Sequence, residues 1–285
     1  YKVCENTNDV VETTSNFTIS RVSYTPDAFI LRNFLTPEDS ETIMNDATAS
    51  HMDTAETITE GDTTSRKFCQ VSWLPSGGPG TSWLVSSLMQ ATANLFLTTD
   101  VKSDPEAGVE DLQVLKYDVG GEYVLHHDGE PRVLTVLYYL NGVGKTWFPL
   151  ARTGEDINDD PCKDINADEA SEEFLKTREN AIIPQNKQQA MKIGEDAKPG
   201  QQGLLVQSIS GAVGKNQEET EENLNNPNIA WINRGDALAF YNYLDDGSPR
   251  LNWRALHTAL PTEEKDGVKW IANHWFRGGT LTSPC

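Results

Sequence analysis

The chain has 285 residues, with 23 basic side chains against 43 acidic ones and a formal net charge of −20. A field of that sign repels nucleic acid and anionic lipid, so neither is an expected partner. No run approaches the roughly 18–20 apolar residues that span a bilayer, whereas 37% hydrophobic and 8% aromatic content suffices for the core of a single domain over residues 1–285.

The first 30 residues are polar, rich in Thr and Asn, and read as extended. The opening YKVCENTND has neither a basic n-region nor an apolar h-region, so any targeting peptide is expected to be already removed or never present. Ile30 to Phe34 reads as a short strand. Thr36 then fits a helix N-cap, with Pro37 at the first helical position and Asp39 three residues after the cap. That helix is expected to end near Ser50. A second helix is expected from Thr81 to about Leu97, where Leu84, Leu88, Ala91 and Leu95 recur at helical spacing.

From Leu112 the pattern turns to strands. LQVLKYDV alternates, Gly120-Gly121 reads as a turn, EYVLHHD follows, and RVLTVLYYLN has the β-branched and aromatic content of a central strand. TWFPL comes next. Residues 153–227 then read as a long acidic insertion, helical in part (ADEASEEFLKTREN), with one strand-like run, GLLVQSIS. Strand character resumes over Ile229–Leu244, His257–Pro261 and Val268–Arg277. Helices followed by many strands predict an α+β fold, with the helices packed on a β-sandwich or barrel.

The four cysteines, Cys4, Cys69, Cys162 and Cys285, contain no CxxC pair, so a structural zinc site is not expected. They allow three disulfide pairings, or they are ordinary thiols. Together with the Asn16-Phe17-Thr18 glycosylation sequon they tilt the expected compartment towards the secretory pathway or endoplasmic reticulum lumen; another organelle is the alternative.

The sharpest chemical signal is His126-His127-Asp128 on a strand. Alternation puts His126 and Asp128 on one face and His127 on the other. One imidazole and one carboxylate are two thirds of a facial triad, the donor set that holds non-haem Fe(II) and leaves positions open. A distant third ligand is needed, and the chain has five histidines in all. His257 begins a strand, His274 lies among large apolar residues and reads as packed, and His51 ends a helix. Lys269, in a strand of otherwise apolar character, reads as exposed unless it points inward, where it needs an anion. Two D-x-N-x-D runs in 156–168 do not fit calcium loops, because Pro161 and Glu169 stand where the turn needs glycine. Gly144-Lys145-Thr146 lacks the upstream glycine and the helix of a phosphate loop. The tryptophans read mostly as core, with Trp253 and Arg254 candidates for a pocket mouth.

The run Tyr117-Asp118-Val119-Gly120-Gly121-Glu122-Tyr123-Val124-Leu125-His126-His127-Asp128 resembles the prolyl 4-hydroxylase branch of the Fe(II)/2-oxoglutarate dioxygenases. So do RVLTVLYYLN followed by Thr146-Trp147-Phe148-Pro149, RGDALAFYN followed by His257-Thr258-Ala259-Leu260-Pro261, and Gly267-Val268-Lys269-Trp270. The resemblance covers about 112–150 and 230–277. It implies a double-stranded β-helix, or jelly roll, with supporting N-terminal helices. It implies Fe(II) on His126, Asp128 and His257, and Lys269 on the distal carboxylate of the cosubstrate 2-oxoglutarate. It further implies that Tyr117, Thr146 and Tyr139 hold that cosubstrate, and that Arg132, Trp275 and Arg277 lie where substrate binds. O2 is the oxidant, with ascorbate as an accessory reductant. The implied reaction converts 2-oxoglutarate to succinate and carbon dioxide and oxygenates a C–H bond.

The departures from the family pattern fall where substrate would sit. Only Gly129, Glu130 and Pro131 separate Asp128 from Arg132, Arg277 replaces a frequent histidine, and the segment between His257 and Lys269 is two residues longer than usual. The leading reading is therefore a hydroxylase of prolyl residues in a peptide or protein. The alternatives are an oxygenase that hydroxylates or cyclises a small amino-acid-like metabolite, which the two arginines favour, and an inactive jelly-roll binding module.

Overall fold

The computed structural model describes residues 11–12, 17–55, 65–97, 108–153, 187–212, 217–244 and 250–277. Asn16, Cys4, Cys162, Cys285 and the helix expected within 167–180 lie outside them. Cys69, the described cysteine, is a buried free thiol.

Thirteen strands form a continuous sheet that winds into two layers. They are β1 (Val11–Glu12), β2 (Thr18–Tyr24), β3 (Asp27–Arg32), β4 (Asp53–Thr54), β5 (Arg66–Leu74), β6 (Leu112–His126), β7 (Arg132–Tyr139), β8 (Lys145–Phe148), β9 (Leu204–Ser208), β10 (Ile229–Ile232), β11 (Ala237–Tyr241), β12 (His257–Ala259) and β13 (Lys269–Arg277). The order is β1-β2-β3-β11-β7-β13-β6-β12-β8-β9-β10, with β5 also on β6 and β4 on β5.

The long strand β6 joins the two layers. Its first half pairs with β13, Tyr117 opposite Lys269, and with β5, Cys69 opposite Tyr117. Its last residues pair with β12, His126 opposite His257. Gly120-Gly121 is therefore not a hairpin turn but a bend inside one strand, where the register with β5 shifts. Gly120 adopts a φ of 78°, and a methyl group on Gly121 would meet the Asp118 carbonyl at 2.7 Å. The result is a double-stranded β-helix.

Two apolar layers follow from strand alternation. On β7, Leu134, Val136 and Tyr138 face a helix-covered core, while Leu137 and Tyr139 face the inside of the β-helix. Burial on both faces explains why this strand is apolar almost throughout. β11 reads the same way, and the run expected over Ile229–Leu244 is two strands, broken by the turn at Asn233–Asp236. The helix-covered core is closed by α1 (Pro37–Ala49) and α2 (Trp83–Phe96). Thr36 caps α1 in a full capping box with Asp39, as its sequence requires. Ser82 caps α2. The buried stripe of α2 is Val85, Leu88, Met89, Thr92, Ala93 and Phe96, rotated from the expected one. The helix is apolar on several sides, and Thr92 turns inward because its hydroxyl hydrogen-bonds the buried Tyr138 at 3.2 Å.

The segment expected as an insertion contains α3 (Lys187–Asp196), α4 (Gln217–Leu224) and β9. β9 is a full member of the sheet, antiparallel to β8 and parallel to β10, so GLLVQSIS belongs to the core. Trp147, Trp231 and Trp275 are buried, but Trp83 is 81% exposed and Trp73 is 45% exposed, against the expectation of core packing.

Candidate metal and cosubstrate site

His126 ends β6, Asp128 follows two residues later, and His257 begins β12 directly opposite His126. One ligand atom from each lies within 4.8 Å of the others. The His126 and His257 rings are 4.3 Å apart between centroids, and His126 Nε2 is 3.7 Å from Asp128 Oδ1. His126 Nδ1 lies 2.8 Å from the Val124 carbonyl, and His257 Nδ1 lies 2.9 Å from that of Ala255. A carbonyl can only accept, so each Nδ1 carries the proton and each Nε2 presents a lone pair to the cluster. Burial holds the His126 imidazole well below its ordinary pKa, and the neighbouring His257 adds to this. Burial would raise the Asp128 carboxyl, but His257, His126 and the Thr135 hydroxyl together hold it below the usual carboxylate range. A neutral His126 imidazole and an ionised Asp128 carboxylate are protonation states that a divalent metal takes. The donor set fits a facial-triad metal.

A hydrogen-bonded ring fixes the carboxylate. Thr135 Oγ1 donates to Asp128 Oδ2 at 2.6 Å and accepts from Asn242 Nδ2 at 2.8 Å. Asn252 N donates to the Asn242 carbonyl at 2.8 Å, and the Asn252 carbonyl accepts from His127 Nε2 at 3.1 Å. His127 Nδ1 accepts from Gly129 N at 3.0 Å, closing the circuit beside Asp128. His127 points away from the cluster, as alternation predicts, and packs on Trp253. Thr135→Val keeps shape but removes the hydroxyl. We expect it to leave the fold intact and to weaken metal affinity by roughly 10–100-fold, the usual effect of losing such a partner; metal titration of both proteins checks this.

Beyond the cluster, a cleft opens against Tyr117, Thr146, Ile271, Asn273 and Trp275. Ile271, Asn273 and Trp275 share one face of β13, and Lys269 continues that face. Lys269 is 1% exposed, and its Nζ has no hydrogen-bond partner among the described residues. The Tyr117 ring lies 5.3 Å away. Burial lowers the Lys269 pKa to about 8 and raises the Cys69 thiol to about 11. A buried ammonium between neutral groups demands an anion. Gly144 makes room for it: any side chain there would collide with Cδ and Cε of Lys269. Thr146 accepts a hydrogen bond from Tyr139 at 2.9 Å, so these two expected residues act as a pair. The lysine thus points inward, contrary to the default for a strand lysine.

Of the residues expected at the substrate position, Trp275 lines the cleft. Arg132 stacks on Trp275 at 3.8 Å but holds Glu110 with two hydrogen bonds, of 2.6 and 2.8 Å. Arg277 holds the same carboxylate at 2.9 Å. Burial would raise the Glu110 carboxyl, but the two arginines keep it below its ordinary range. His274 is a packed core histidine on Ser76, and His51 is exposed beside Asp53. Sequence reasoning missed Thr135, Asn242, Glu110, Tyr123 and Arg66. The one available signal was Thr135, a polar residue on the inward face of an apolar strand.

No family model matches the chain. It is 31% identical over 144 residues to a probable prolyl 4-hydroxylase (number 8) of Arabidopsis thaliana, covering 46% of this chain and 48% of the relative. It is 29% identical over 167 residues to another from the same plant (number 4), covering 50% and 53%. The chain thus spans about half the length of the curated relatives it matches. Among solved structures, it resembles the viral collagen prolyl hydroxylase of Paramecium bursaria Chlorella virus-1 in its 2-oxoglutarate complex, with a TM-score of 0.46 and 17% identity over 88% of this chain and 96% of that one. The sequence matches agree with the resemblance carried by the motifs.

Proposed function

We propose that the protein is an Fe(II)- and 2-oxoglutarate-dependent oxygenase that hydroxylates prolyl residues of a peptide or protein. The observation that carries this reading is a two-histidine, one-carboxylate cluster lining a cleft with Ile271, Asn273 and Trp275 of β13, and a buried, unpartnered ammonium, Lys269, further along that same strand. His126, Asp128 and His257 would hold the metal. Lys269 would take the distal carboxylate of 2-oxoglutarate, with Tyr117 and the Tyr139–Thr146 pair beside it. Fe(II) with 2-oxoglutarate supplies oxygen activation coupled to decarboxylation, releasing succinate and carbon dioxide. The chain's own work is to orient and to exclude water. Backbone carbonyls fix both imidazoles, Thr135 fixes the carboxylate, and Tyr123, stacked 3.7 Å from the His126 ring, covers the cluster. The prolyl substrate is supported by the names of the plant relatives. The small-metabolite reading drew on Arg132 and Arg277, and Glu110 already engages both.

Incubation of a proline-rich peptide with Fe(II), 2-oxoglutarate and ascorbate, read by mass spectrometry, tests the reading. The expected result is a gain of one oxygen on proline, matched by succinate and absent with His126→Ala. Succinate without any oxygenated peptide would overturn the prolyl assignment.

A further inference from the structure

β5 breaks its alternation at Phe68, where this one residue faces Asp118, Val119, Gly120 and Gly121 of β6. Strict alternation would put Arg66 and Phe68 on one face and Lys67 and Cys69 on the other. Instead Phe68 takes a left-handed φ of 49° and is 67% exposed. The register with β6 shifts between Lys67 and Cys69, so Arg66 and Cys69 both turn inward. A large aromatic residue at positive φ is uncommon and is kept where the surroundings over-determine it. This break therefore delivers a guanidinium to the cleft.

Arg66 is 8% exposed and lines the cleft with the metal cluster. Its guanidinium lies 4.1 Å from the Tyr123 ring centroid, and Tyr123 in turn stacks on His126. It is two stacked layers from a metal ligand. Its Nε is buried with no hydrogen-bond partner, and although the guanidinium hydrogen-bonds the Tyr123 side chain, no ion pair between it and a carboxylate is present among the described residues. Arg132 and Arg277 differ, because Glu110 neutralises them. In a chain of net charge −20, leaving one cleft arginine without a counter-ion is a costly arrangement that an incoming anion relieves. On the proposed reading Lys269 takes the distal carboxylate of the cosubstrate, which leaves Arg66 for a different anion.

We propose that Arg66 is a specificity residue that selects substrate peptides carrying a carboxylate next to the target residue. This rests on the proposed oxygenase reading for the identity of the cleft, but its test does not need turnover. Two matched peptides, one with Glu and one with Gln flanking the proline, are titrated anaerobically into protein loaded with Fe(II) and 2-oxoglutarate. The same titrations are run with Arg66→Gln and Arg66→Lys. A charge-assisted contact predicts that the wild type binds the Glu peptide on the order of tenfold or more tightly than the Gln peptide. Arg66→Gln should bring the ratio close to one by weakening the Glu peptide alone. Arg66→Lys should keep part of the preference, and 2-oxoglutarate affinity should be unchanged in both variants. Equal binding of the two peptides by the wild type, binding of neither, or equal loss of both in Arg66→Gln would overturn the proposal. Failure of the hydroxylase reading looks different: the Glu preference persists, but no peptide gains oxygen when air is admitted.

Discussion

Lys269→Met is expected to make the protein more stable and unable to retain 2-oxoglutarate. The physical reason is the same in both halves. Burial depresses the Lys269 pKa from 10.5 to about 8. Between those values the unfolded chain binds the proton that the folded chain has released, so stability rises with pH across that window. Below about pH 8 both states are protonated and the full penalty is present, about 3 kcal/mol at pH 7. Methionine fills a similar volume without the charge, so the variant should melt higher when no cosubstrate is present. Removing one partner of a buried charge pair costs about 2–5 kcal/mol in binding, so 2-oxoglutarate affinity should fall roughly thirtyfold or more. Saturating cosubstrate should then raise the melting temperature of the wild type and not that of the variant. Wild-type affinity for 2-oxoglutarate should also weaken as pH climbs through about 8, because binding must then take up a proton. Thermal melts with and without the dicarboxylate, at pH 7 and pH 9, check all of this. A variant that melts lower and still binds would assign Lys269 a structural role.

His126→Ala is expected to eliminate metal-dependent succinate formation while the fold survives. Loss of a ligand from a three-donor site removes more than the roughly 10–100-fold carried by an orienting partner. The His126 ring stacks on Tyr123 at the end of β6 and is only partly buried. His257 is packed against Phe148 and Phe240, so its alanine variant should lose stability as well as activity. Succinate release and circular dichroism of both variants check this. Undiminished turnover in either would remove that histidine from the site.

Much of this arrangement was legible from residue order. The period-2 alternation separated His126 and Asp128 from His127, and the capping box marked the start of α1. The apolar character of β7 followed from its burial on both faces. What could not be read depends on contacts between distant segments. The fate of Arg132 and Arg277 turns on Glu110, which reaches them only once β6 and β13 lie side by side. The inward turn of Arg66 depends on the break at Phe68, where one residue of β5 faces four of β6, and alternation alone cannot place such an irregularity. The Gly120-Gly121 pair carries a turn signal, yet the strand continues through it because β12 takes over the pairing on its far side. GLLVQSIS reads as a strand, but its acidic surroundings gave no sign that β9 joins the core sheet beside β8.

One site is expected to bind Fe(II) and 2-oxoglutarate together, through the His126–Asp128–His257 cluster and Lys269. Anaerobic titration of 2-oxoglutarate into the Fe(II)-loaded protein, followed by calorimetry, tests it most directly. One equivalent is expected to bind, with a large loss of affinity in Lys269→Met and little binding when iron is withheld or when His126 is alanine. Binding of 2-oxoglutarate that is indifferent to both iron and Lys269, or no binding to the loaded wild type, would contradict it.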